Sequence, residues 1–453
     1  MKQIILGAFE INQVNLTSQG LWAHPEQTTF RYKDLSYWTE LAKLLESGYF
    51  DFLFLADSYG YPDLNGEVPD ATFEQAVELP KNDPMLLIPA LSAVTKDLNF
   101  ICTSSTSFEP PYANARRFAT LDHLTKGRVA WNVVTTSSAV VSRLFGTKQV
   151  PHDARYDMAQ EYLELSYKLF EGSWEKGAVI ADKARRIYAD PRKVHAIDHH
   201  GTHFTCQGYF NCEPSPQRTP VLVQAGASSK GRGFAAANAE VIFVQGKDRA
   251  MLRAQIDDLR QRAKDNGRGA DAIKAISGLT VVTGLSRAHA EERLEEYLSW
   301  IDPEAMRAYY AMMTGVDLAK LAPKGSFSDV KTEGSQTQVE RYKGVAVEEA
   351  VADFLRRGMR ELIVTGTGKE AAEEIAEIVA ETGLDGFNFT PFVSPGSYAD
   401  LIRDVVPQLQ RMGLMRRERH PSTFRERLFG RGQARLPDSH PAAQMRWTPG
   451  GSA

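Results

Sequence analysis

At 453 residues the chain exceeds an ordinary single domain, yet a (β/α) barrel with insertions reaches that length undivided. Its 43% hydrophobic and 24% charged residues supply a large core, and a net charge of −4 excludes bulk affinity for nucleic acid or a membrane surface. Cys102, Cys206 and Cys212 match neither a disulfide framework nor a zinc spacing, and Cys102 reads as a buried, inert thiol.

The N-terminal "MKQIILGAFEINQ" is too short an apolar run for a secretory signal and reads as a first strand. No run approaches the ~18 apolar residues of a membrane span, so a cytoplasmic protein is expected. Further strands are expected at 50–57, 98–105, 128–135, 220–226, 240–246, 276–284 and 385–392, the first at 4–11. Between them lie helical patterns at 36–48, 83–96, 113–125, 156–172, 247–267 and 369–383, several stopped by Gly. Eight buried strands with intervening helices predict an α/β fold, a (β/α)8 TIM barrel. An open doubly wound sheet is disfavoured because no GxGxxG follows the first strand.

Residues 1–413 are expected to form the barrel domain, with insertions at 173–218 and 301–345. The insertion at 301–345 contains a lid-like stretch at 322–338. Residues 414–453 form an Arg-rich C-terminal extension, expected to wrap the barrel or meet another subunit rather than bind nucleic acid.

Barrel chemistry gathers at the C-terminal ends of the strands. Those ends carry Phe9, Glu10, Asn12 and Gln13, then Asp57, Ser58 and Tyr59, then Thr103, Ser104 and Thr106. Next come Asn132, Thr135, Thr136 and Ser137, then Gln224, Gly226 and Ser228, and finally Asn388 and Thr390. Hydroxyls and amides dominate. They suit a ligand recognised by neutral hydrogen bonds, although Thr135 to Ser138 also fit a plain loop cap. In "QAGASSKGRGFAAANAE", Ser228 opens a helix whose first turn holds Lys230 and Arg232, cations on the wrong end of the dipole unless an anion sits there. An ordinary serine cap is the competing reading. His152 and Tyr156 precede a long helix and read either as site residues or as structural ones. His199, His200 and His203 read as a surface hairpin rather than a metal site, since no carboxylate stands at helical spacing.

The segments "FDFLFLAD", "FATLDHLTKGRVAWNVVT", "HDARYDMAQEYLE", "CEPSPQRTPVLVQAGAS" and "DGFNFTPFVSPGS" together resemble the bacterial luciferase-like flavin monooxygenases. Within them the likeness is to the nitrilotriacetate, dibenzothiophene sulfone and long-chain alkane monooxygenase subgroup. The resemblance implies FMN, used as FMNH2 from a separate flavin reductase, with O2 as co-substrate, in a homodimer or homotetramer. It places Asp57, Thr103, Asn132, Thr136 and Ser137 around the flavin ring, and Tyr156, Ala227 and Ser228 at its phosphate. His152, Ser137 and Gln13 become catalytic candidates, and Phe9, Gln13, Tyr59 and Glu78 line the expected substrate space. The alkane-oxidising pattern is broken: its Cys, two His, Tyr and Gln correspond here to Gln13, Leu16, Ser137, Pro62 and Glu78. A polar aromatic heterocycle is therefore the expected substrate. The alternatives are a riboflavin lyase producing lumichrome, a long-chain alkane monooxygenase, and a non-catalytic flavin- or F420-binding barrel.

Overall fold

The computed structural model describes residues 3–448, apart from Asn65, Ser137, Ala227, Lys247, Lys331, Glu333 and Ser335 and the side chains of Gln336 and Thr337. Alternation along β1 (Ile5–Ile11) sends Ile5 and Phe9 to one face and Leu6 and Ala8 to the other, and both faces are covered. The same two-sided burial recurs in β2 (Phe52–Ala56), β3 (Asn99–Ser105) and β4 (Val129–Val134). Strands buried on both faces belong to parallel sheets, and these pair in parallel.

Two antiparallel hairpins follow, β5 (Val179–Asp182) with β6 (Ile187–Ala189) and β7 (Ala196–His200) with β8 (Thr205–Tyr209). They occupy the expected insertion at 173–218, and the second contains the histidine-rich turn. Among the described residues no cluster of His, Cys, Asp and Glu has the makings of a metal site.

The parallel strands resume with β9 (Val221–Gln224), β10 (Val241–Val244) and β11 (Lys274–Thr283). A further strand, β12 (Leu362–Gly366), pairs with Leu279 to Thr283 of β11, and β13 (Gly386–Phe389) bridges β11 to β1. The ring of eight parallel strands is thereby closed. All eight expected barrel strands are present, and β12 was not among them. It stands outside the ring, because β11 outruns its barrel neighbours and offers β12 its free upper end.

The barrel interior is filled by Phe52, Phe54, Ile101, Ala130, Val221, Val223, Val241 and Ile276. Phe52 lies over Gly7, where a Cβ would stand 2.1 Å from its ring, so the glycine makes room for the phenylalanine. From below, Phe424 and Leu428 of the helix Phe424–Phe429 join this interior cluster. That helix starts with a capping box between Thr423 and Glu426.

The Arg-rich extension is tied down by charge at the N-terminal end of the barrel. Arg425, 1% exposed, pairs with Glu240 at 2.7 Å, Arg427 pairs with Asp51 at 2.5 Å, and Arg416 pairs with Asp97. Glu171 receives both Arg435 and Arg446. Among the described residues no helix is long and apolar enough to cross a membrane.

Candidate active site

At the C-terminal rim the barrel filling changes character. Two residues beyond Ile101 and Ala130, on the same inward faces, stand Thr103 and Asn132. Asn132 Nδ2 donates to Thr103 Oγ1 at 3.0 Å, while Asn132 Oδ1 is buried without a hydrogen-bond partner among the described residues. Asn388 Oδ1, on β13, is likewise unpartnered. In the same barrel interior Phe9 packs edge-on to Phe54 at 5.7 Å, and Phe54 stacks on Phe243 at 4.9 Å. Buried polar atoms are normally satisfied. Orphaned amide oxygens in an interior that also holds an aromatic cluster therefore fit a flat ring that carries hydrogen-bond donors.

The loops after β1 and β2 bring together a second polar group. Gln13 Nε2 donates to Glu78 Oε1 at 3.1 Å and to Asn15 O at 2.8 Å, leaving Gln13 Oε1 without a partner among the described residues. Lys81 forms an ion pair with Glu78 and donates to Ser58 Oγ at 2.9 Å. Glu78 is buried and holds a left-handed backbone at φ 62°, which costs a non-glycine residue about 1–2 kcal/mol. Burial pushes the neighbouring Asp57 carboxyl up to about 7, against the pull of Lys81 and with Asp83 and Glu78 adding to the rise. Such a group changes protonation near neutral pH.

A third group lies where the helix Ser229–Asn238 meets the helix His152–Tyr167. Ser228 caps the former, its Oγ accepting from Gly231 N at 3.0 Å. A Cβ on Gly231 would stand 2.7 Å from Tyr156 Oη and 3.1 Å from Ser228 Oγ. Two hydroxyls thus converge on a helix N-terminus that only glycine leaves open. The cleft there is also lined by His152, whose Nδ1 is 2.8 Å from Asp153 Oδ1 and whose ring is 5.3 Å from that of Tyr156. Converging hydroxyls at a helix N-terminus fit a phosphate.

The expected site residues therefore fall into an interior pair (Thr103, Asn132), a loop cluster (Gln13, Glu78, Asp57) and a helix-end cradle (His152, Tyr156, Ser228). Thr136 Oγ1 bonds Ser105 Oγ at 2.9 Å beside the first group. Tyr59, 38% exposed, bonds Glu109 and packs on Phe145 at 5.1 Å, at the mouth rather than in the buried cluster. Ser137 and Ala227 lie outside the described residues.

Two expectations need correction. Lys230 and Arg232 are not waiting for an anion: they pair with Asp157 at 2.6 Å and Asp258 at 2.9 Å, so neighbouring helices supply the negative charge. Glu10 does not reach the strand-end site. Strand alternation turns it outward, where it accepts from Ser394 Oγ at 2.7 Å and burial pushes its carboxyl up to about 8. Sequence reasoning missed Lys81 and Gly231. Lys81 carries no periodic signal, and Gly231 reads as one of several glycines in "SSKGRG".

A family model described as luciferase-like monooxygenase matches residues 12–386. The chain is 46% identical over 446 residues to a long-chain alkane monooxygenase of Geobacillus thermodenitrificans (strain NG80-2), covering 98% of each protein. It is 33% identical over 442 residues to nitrilotriacetate monooxygenase component A of Aminobacter aminovorans, covering 94% of this chain and 96% of that protein. Its fold superposes with a TM-score of 0.96 on the crystal structure of a riboflavin lyase with modified FMN and the substrate riboflavin, at 42% identity over 99% of this chain and 100% of that one. With its closed parallel barrel and a match along most of its length, the chain belongs to the luciferase-like monooxygenase family.

Proposed function

We propose that this protein is a reduced-FMN- and O2-dependent monooxygenase whose substrate is a polar aromatic heterocycle, with FMNH2 delivered by a separate flavin reductase. The reductase reading draws on the likeness to a relative that is itself named a component. Reduced FMN supplies the electrons that activate O2. In this reading Tyr156 and Ser228 donate to the flavin phosphate, the Gly231 N-terminus faces it, and Thr103 and Asn132 orient the ring edge. Asp57 holds or releases a proton beside that edge, with Lys81 setting its charge. His152 closes the phosphate side, and Ser137 and Ala227 complete the set by resemblance.

The observation that carries the substrate class is the buried Gln13 amide oxygen that the Gln13–Glu78–Lys81 cluster leaves without a partner among the described residues. An alkane offers nothing to buried amides and ions, and each polar group left unpaired costs about 1–3 kcal/mol. A heterocycle with ring donors and acceptors pairs with them, while Tyr59 at the mouth offers an aromatic face. The riboflavin lyase reading is a narrower form of the same proposal. It is favoured by the likeness to a lyase whose substrate is itself a polar fused heterocycle.

Anaerobic titration with FMNH2, followed by O2 and a panel of riboflavin, aromatic sulfur compounds, aminopolycarboxylates and long alkanes, tests both readings. Turnover of a heterocycle with little on alkanes is expected. Good turnover of a C16-type alkane, with no heterocycle bound, restores the alkane assignment.

A further inference from the structure

The rim above β10 holds another cavity, one that the flavin reading leaves unused. Its walls include Gln245 just beyond β10, Met251 and Ala254 of the helix Arg249–Asp265, Gln338, Arg341, and Glu361 just ahead of β12. Glu361 is 5% exposed; the Gly246 backbone N–H faces its carboxyl, but neither oxygen has a hydrogen bond of ordinary geometry among the described residues. Gln338 Oε1 and Arg341 Nη1 are buried and unpartnered as well. Arg341 Nη1 stands 4.0 Å from Glu361 Oε1, too far to bond it, while its Nη2 donates to Arg360 O at 2.9 Å.

An ion pair that is buried, open and unbonded is a poor way to stabilise a fold, since apolar side chains of similar volume do as well or better. The three side chains that carry these atoms instead line one cavity. Their charges also restrict what enters. The walls carry both signs, Arg232 and Arg341 against Asp258, Glu340 and a Glu361 carboxyl that burial pushes up to about 7, so the cavity suits a neutral ligand with a donor beside an acceptor. Met251 and Ala254 supply apolar walls for a flat ring.

We infer that this cavity binds the N–H/C=O edge of a neutral planar imide or ureide heterocycle, with Arg341 donating to the carbonyl and Glu361 accepting from the N–H. The inference deepens the heterocycle reading and rests on it only for the ligand's being the substrate. The same edge is present on the flavin ring, so the test separates the two sources.

The test is calorimetric titration of the full chain, flavin-free and FMN-loaded, with lumazine and with 1,3-dimethyllumazine, which lacks the ring N–H. Lumazine is expected to bind, and the dimethyl compound to bind about tenfold or more weakly, the scale of one hydrogen bond to a charged group. Glu361→Gln and Arg341→Met are expected to weaken lumazine binding and leave the dimethyl compound unchanged. Binding retained with FMN in place assigns the edge to the substrate. Competition by FMN, with FMN itself weakened in Glu361→Gln, assigns it to the cofactor ring. Equal affinity for the two lumazines, or unchanged lumazine binding in both variants, overturns the inference. Because no turnover is read, a failure of the monooxygenase reading leaves this result standing on its own.

Discussion

Asn132 donates to Thr103 at 3.0 Å across the β3–β4 pair and keeps its own carbonyl oxygen buried without a partner among the described residues. The bond fixes which way the amide faces. The orphaned oxygen is a cost in the ligand-free protein that a bound ring donor removes. Asn132→Leu is therefore expected to lower FMN affinity by about 1–2 kcal/mol while leaving the flavin-free protein at least as stable. Thermal melts with and without FMN separate the two effects. A large loss of stability without FMN would show that the amide is structural.

The helix-end cradle gives a graded series. Tyr156→Phe and Ser228→Ala are each expected to weaken FMN binding by about 1–3 kcal/mol, the range for hydrogen bonds to a charged group. Ser228→Ala also removes a helix cap, worth about 1 kcal/mol of stability. Gly231→Ala puts a methyl group 2.7 Å from Tyr156 Oη and should impair phosphate binding most. Fluorescence titration of FMN across the three variants checks the order. Unchanged affinity in all three would move the phosphate elsewhere.

Burial raises the Asp57 carboxyl from 3.8 to about 7, Glu361 from 4.5 to about 7 and Glu10 from 4.5 to about 8, and it raises Asp122 as well. The folded protein holds these protons over a pH range in which the unfolded chain has released them. Their contribution to stability is complete below about pH 4 and is lost as pH rises to about 8. The flavin-free melting temperature should accordingly fall between pH 5 and pH 8, and Glu10→Gln should flatten part of that slope. A profile that rises over this window would contradict the assignment.

Lys81 offers a test of function at the same group. Its charge opposes the rise at Asp57, so Lys81→Met should move the Asp57 ionisation to higher pH. The acid limb of kcat/KM against pH is expected to shift upward, and Asp57→Asn to abolish that limb. An identical pH profile in Lys81→Met would separate Asp57 from the observed ionisation.

The C-terminal extension should be required for folding. Arg425→Met strands Glu240 in the interior, where an unpaired buried charge costs about 3–5 kcal/mol. Urea denaturation of this variant and of the Arg425→Met/Glu240→Gln double variant measures the coupling. The double variant should recover part of the loss.

The eight barrel strands and the main helices were legible in the sequence because hydrophobic periodicity is a local signal, set by which faces each segment must bury. The strand ends then pointed to Asp57, Thr103, Asn132 and Ser228 without any knowledge of distance. What the tertiary structure alone decided were pairings between charges and between faces. Arg425 finds Glu240 across 185 residues, Lys230 finds Asp157 across 73, and Gln13 finds Glu78 across 65. Glu10 shows the same limit at one residue's range, since its place at a strand end was readable but its outward face depended on which side of β1 became the barrel interior. No local pattern encodes such partners. A buried charge is tolerated only where the closed fold delivers its counter-charge, and that delivery is settled when the barrel closes.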